Sequence, residues 1–152
     1  MKKVLGLALH DTTVGGYDTA GFQGQINVGA AKGSHDGLRL LELEKAADKL
    51  LSKNKYEAVA IPRAMYSINV ASFEEADKMA RMIGVVLLVT CRHKVRCLVL
   101  DPGEISSLAT GRKNATLPQM QAAALHNGVA IKTECVALAY WIMVLGQKKL
   151  GN

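Results

Sequence analysis

The stretch that decides the fold is Lys3-Val4-Leu5-Gly6-Leu7-Ala8-Leu9, which runs into His10-Asp11-Thr12-Thr13-Val14-Gly15-Gly16-Tyr17. After its lysine the first run is wholly apolar and barely alternates, the pattern of a central strand buried on both faces. His10 to Tyr17 reads as the turn into which it runs, with Gly15-Gly16 marking a turn or bulge. The next short β-prone segments, 14–20 and 22–29, are separated by Gly21 and continue as an antiparallel meander.

Beyond the meander, a polar stretch from Lys32 to Gly37 precedes a helix whose Leu40, Leu43, Ala47, Leu50 and Leu51 share one face. Ser34 or Asp36 is placed to cap it. Tyr56 to Ile61 reads as a buried strand halted by Pro62, since proline brings no amide to a ladder. Strand, helix and strand in this order imply parallel pairing. A long helix follows over 68–94, with Ser72 and Glu75 as a capping box and an apolar stripe of Phe73, Ala76, Met79, Ala80 and Ile83. Val95 to Leu100 is the next strand, Asp101-Pro102 starts a helix, and Gly111-Arg112-Lys113-Asn114 ends it. Thr116 caps Leu117 to His126, and Ile131 to Leu145 forms a final, very apolar helix.

With 152 residues and 49% hydrophobic content, the chain reads as one domain over 1–152 with an adequate core. Nineteen Lys and Arg against thirteen Asp and Glu give a formal charge of +6, which favours polyanionic partners. Cys91, Cys97 and Cys135 form no C-x-x-C pair and read as small buried hydrophobes, so neither disulfides nor a zinc knuckle is indicated and a reducing cytoplasm fits best. The apolar runs are too short to span a bilayer, and the N-terminus lacks the form of a signal peptide. The glycine pairs lack the Lys-Ser or Lys-Thr of a phosphate loop. His10-Asp11 and His35-Asp36 read as turn and capping pairs rather than metal ligands.

This order of elements resembles the RuvC-like Holliday junction resolvases, a branch of the RNase H-like superfamily. Arg39 to Arg63 is similar to that family's first helix and following strand, and Ala71 to Lys94 to its long helix. Leu100-Asp101-Pro102-Gly103-Glu104-Ile105, Thr110-Gly111-Arg112-Lys113-Asn114-Ala115 and Ala137-Leu138-Ala139-Tyr140-Trp141 look like its last strand, basic loop and final helix. The resemblance implies an α/β, RNase H-like fold: a mixed central sheet of about five strands flanked by helices.

It also implies a chemistry that this sequence lacks the groups to perform. Family members cut phosphodiesters with four carboxylates that hold two Mg²⁺ ions. The matching positions here are Ala8, Pro62, Thr133 and Val136, and an auxiliary lysine of the family falls on Leu117. The expectation is therefore a catalytically inactive homologue without a metal site or cofactor, which binds branched or distorted DNA as a homodimer through helix 68–94. The implied DNA-binding residues are Arg63, Tyr66, Arg92, Arg112 and Lys113, with Tyr66 suited to stacking on a base. Two alternatives stand beside it. One is an active Mg²⁺-dependent endonuclease with a displaced acidic site that includes Asp11 and Glu134. The other is a scaffold or regulatory protein on the same fold that binds no nucleic acid.

Overall fold

Because nothing from Val4 to Leu9 needs water on either side, that segment takes the middle of a sheet. A computed structural model of the chain describes residues 2–10, 13–29, 35–64 and 70–151. Strand β1 (Val4–His10) pairs antiparallel with β2 (Thr13–Asp18), which pairs antiparallel with β3 (Gln23–Asn27). On the other side β4 (Ala58–Pro62) joins β1 in parallel and β5 (Arg96–Leu100) joins β4 in parallel. The order is β3-β2-β1-β4-β5, the mixed five-stranded sheet that was expected.

Alternate residues of β1 serve two cores. Leu5, Leu7 and Leu9 pack with Leu43, Ala47 and Leu51 of α1 (Asp36–Lys53) and with Met82, Val86 and Val89 of α2 (Val70–Arg92). Val4 and Ala8 face α3 (Pro102–Thr110), α4 (Leu117–His126) and α5 (Glu134–Lys149), where Ile105, Met120, Trp141 and Ile142 fill the layer. Trp141 Nε1 donates to the Met120 carbonyl at 2.9 Å, tying α5 to α4.

Helix α5 lies on the sheet where the sheet has no side chains. A Cβ at Gly6 would stand against the Ala139 carbonyl oxygen and 2.6 Å from the Met143 nitrogen; one at Gly15 would lie 2.7 Å from the Cys135 carbonyl. Gly15 and Gly16 are thus mid-strand residues of β2, paired with Ala8 and Leu7, and not the turn or bulge that their sequence suggests. A second fixed point is Asp18, buried at the end of β2. Its Oδ1 accepts from the Ala20 and Phe22 amides at 2.9 and 3.0 Å, closing the turn to β3, and its Oδ2 accepts from the Tyr56 hydroxyl at 2.8 Å.

Several local expectations are corrected. Strand β4 starts at Ala58 rather than Tyr56 and ends at Pro62, which is its last residue, opposite Leu100, rather than the residue beyond it. The following Arg63 amide donates to the Leu100 carbonyl, so the amide that proline lacks would face β1, whose recorded pairing ends at Gly6 and Ala60. His35, not Asp36, caps α1, its Nδ1 accepting from the Leu38 amide; Ser34 lies outside the described residues. Helix α2 is already formed at Val70, so Ser72 is inside its first turn, and it ends at Arg92 before Lys94 in a left-handed conformation. Its buried stripe is Ala76, Met82, Val86 and Val89, whereas Phe73 is exposed. Cys91 is exposed rather than buried. Helix α5 starts at Glu134 because the Thr133 side chain caps it, leaving Ile131 as a buried loop residue. The caps Asp101 and Thr116 stand as expected, the latter with Gln119 in a full capping box.

Two measurements check this packing. In urea denaturation, Gly6→Ala is expected to cost at least ~3 kcal/mol, since backbone and not a flexible side chain must yield. Gly84→Ala, with nothing within 4 Å in α2 of the single chain, is expected to gain about 0.5–1 kcal/mol in the stability of the monomer. Burial, then the bond and charge of Asp18, push the Tyr56 hydroxyl well above its ordinary value near 10. The folded state therefore holds this proton longer than the unfolded state, and its contribution, complete below pH 10, falls away as pH rises above it. Tyr56→Phe is expected to lose roughly 2 kcal/mol at pH 7 and to show a shallower loss of stability above pH 10 than the parent.

Candidate functional site

The parallel strands β1 and β4 end side by side with the start of α5, and these three ends carry the positions that the resemblance matches to carboxylates. Ala8 is fully buried on the α5 side of the sheet, with the Cys135 Sγ 3.9 Å from its carbonyl oxygen. Pro62 is buried at the end of β4. Val136 is buried one turn into α5. Thr133 is the only one of the four with an oxygen in its side chain, and that oxygen is committed. As the α5 cap it accepts from the Val136 amide at 3.2 Å, while its own hydroxyl donates to Gln25 Oε1 at 2.7 Å.

Around this point lies an open cleft of about 300 Å³, lined by His10, Thr13, Gln25, Leu117, Thr133, Glu134 and Cys135. Its far wall is an uncharged network along β3. The Thr13 hydroxyl donates to Asn27 Oδ1 at 3.1 Å. Gln23 Nε2 donates to the Ala130 carbonyl at 2.7 Å, and its Oε1 accepts from the Lys132 amide at 3.2 Å, pinning the edge strand to the loop before α5. Burial pushes the Cys135 thiol up, away from the thiolate that a nucleophile needs. Among the described residues, Glu134 is the carboxylate that lines the cleft, exposed in the first turn of α5 where the helix dipole favours it.

This donor set does not fit the paired divalent ions of the implied chemistry. Mg²⁺ asks for several oxygen ligands in near-octahedral order, and the matching positions offer a methyl, a pyrrolidine ring, an isopropyl and one committed hydroxyl. Among the described residues, no three His, Cys, Asp or Glu side chains gather to hold a metal ion. Asp11 of the displaced-site alternative lies outside the described residues.

The expected DNA-binding residues separate into groups. Arg63, exposed just past β4, has its guanidinium 3.5 Å from Asp101 Oδ2. Asp101 and Lys113 both line an open groove of about 840 Å³ beside the start of α3. The loop carrying Arg112 and Lys113 is held in shape: Gly111 takes the left-handed conformation, and the Ser106 hydroxyl donates to the Arg112 carbonyl and accepts from the Ala115 amide. The structure does not bring Arg92 to this region. It ends α2 near the opposite, N-terminal ends of the parallel strands, with nitrogens 3.2 Å from Glu44 and 4.0 Å from Asp48 of α1. Tyr66 lies outside the described residues. Sequence reasoning passed over Thr13, Gln25 and Cys135 as cleft residues; the signal was the alternation Gln23, Gln25, Asn27, which puts three amides on one face of β3.

Neither a protein-family model nor a curated protein sequence matches the chain. Among solved structures, RuvC of Thermus thermophilus superposes with a TM-score of 0.74 at 16% identity, covering 98% of this chain and 96% of that one. The same protein in complex with a Holliday junction substrate gives 0.77, again at 16% identity, over 99% and 97%. The yeast mitochondrial Holliday junction resolvase Ydc2 gives 0.56 at 11% identity, over 99% of this chain and 81% of that one. Among the described residues, no helix is long and apolar enough to cross a membrane. With the strand order and the placement of α5, these likenesses show that the chain has the RuvC-like RNase H fold.

Proposed function

We propose that this chain binds branched or distorted DNA as a homodimer and does not cut it. The observation that carries the reading is the substitution pattern at the ends of β1 and β4 and the start of α5: Ala8, Pro62, Thr133 and Val136 stand at the matched acid positions while the surrounding fold is intact. The net charge of +6 and a structural relative that holds a Holliday junction substrate favour DNA as the partner. Arg63, Arg112 and Lys113 supply phosphate contacts, which orient a duplex without reading its sequence. Arg92 is left out of the DNA surface because it ends α2 at the opposite end of the sheet from Arg63 and the 111–114 loop, beside Glu44 and Asp48. Dimerisation through α2 is supported by Leu87 and Leu88, which are 41% and 56% exposed on a helix whose other face is core.

Gel shifts with a four-way junction, a fork and linear duplex test the reading. Junction binding is expected to be the tightest, and equal affinity for all three would remove the junction preference. Three cations per protomer, doubled in the dimer, predict a slope of log K against log salt of about −5. Lys113→Ala is expected to lower that slope by ~2 while leaving stability within about 0.5 kcal/mol. Absence of any salt-sensitive binding would move the assignment to the scaffold alternative.

A further inference from the structure

The face of the sheet that carries α1 and α2 is left open over β2 and β3. A trough of about 520 Å³ runs there between α1 and the two strands. Its floor is bare because Gly16 and Gly24 are direct cross-strand partners. Neither has a positive φ, so backbone conformation does not ask for glycine. Crowding does not ask for it either: a Cβ at Gly16 would meet nothing closer than 3.6 Å, and one at Gly24 would touch only the end of the Phe22 ring at 3.3 Å. Glycine in a strand interior weakens it, and where the protein's own packing gives no reason for it, close approach of another molecule is the physical one.

The rest of the trough has the chemistry of an interface. Phe22 and Ile26 line it while 46% and 39% exposed, and Leu50 and Ala46 of α1 form the facing wall. The charges of α1 are sorted around it. Glu44 and Asp48 turn to Arg92 and His93 at the end of α2, and Glu42 accepts from the Gly29 amide. Lys49 and Lys53, one helical turn apart, line the trough instead. We propose that this trough docks an amphipathic helix of a partner protein, with its apolar stripe on Phe22, Ile26 and Leu50 and acidic residues on the flank that meets Lys49 and Lys53. A helix is the element that such a space beside another helix on a sheet admits, and carboxylates four residues apart match the lysine spacing.

The test is selection of binders to the full chain from a displayed library of amphipathic helices with randomised flanks, followed by fluorescence polarisation with the enriched peptides. Enrichment of Asp or Glu on one flank is expected. Affinity is expected to fall at least ten-fold in Gly16→Val, which fills the floor, and again in the Lys49→Glu, Lys53→Glu double variant, which leaves the floor intact. Circular dichroism and thermal melting of both variants are compared with the parent, and only variants that fold are scored. Peptides that bind Gly16→Val as tightly as the parent, or flanks with no acidic preference, would overturn the proposal. A self-association of the parent that Gly16→Val abolishes would overturn it in favour of a second copy as occupant. Saturable binding of laurate in place of any helix would overturn it in favour of a lipid.

Discussion

Everything near the cleft depends on how closely α5 approaches the sheet. Gly6 and Gly15 leave the Ala139 and Cys135 carbonyls in direct contact with strand backbone, and Gly146 does the same from the helix side, where a Cβ would stand 2.9 Å from that of Ala60. A helix laid this tightly has one register. That register puts Cys135 over Ala8, the Thr133 hydroxyl at the mouth of the cleft and Trp141 against α4. The partners of β3 follow, because the loop that leads into α5 is the one that holds Gln23.

The same geometry changes the electrostatics of the cleft. A floor of carboxylates repels a phosphodiester until cations neutralise it; a floor of amides, hydroxyls and alkyl groups has no such repulsion. Here the matched positions contribute no charge, the exposed Glu134 leaves one carboxylate in the lining, and Asp101 is shared between Arg63 and the amide of Gly103. The positive charge at this end of the sheet is therefore carried mainly by the exposed cations of the 111–114 loop.

What was legible in the sequence was what is decided locally. The unbroken apolar run of β1, the Asp101-Pro102 start and the Thr116 to Gln119 box each contain their own physical cause within a few residues. Gly15-Gly16 was misread because its cause is the approach of α5, more than a hundred residues away. Pro62 ends β4 as its pattern suggests, but its own place in the ladder was not legible, because whether a missing amide matters depends on which neighbour it would face. The candidate cations were legible as charges but not as a surface: Arg63 pairs with Asp101, which lines the same groove as Lys113, while Arg92 is drawn to α1 at the other end of the sheet. The polar wall of the cleft was visible only as a period-two run of amides, which by itself says which face but not what it meets.

The measurement that bears most directly on the proposed absence of cleavage is incubation of an end-labelled four-way junction with excess protein in Mg²⁺ or Mn²⁺, resolved on a denaturing gel after binding has been verified in the same buffer. Intact strands in both metals, with the junction bound, are the predicted result. Paired nicks near the branch point that disappear in Asp11→Ala would contradict it and establish a displaced acidic site.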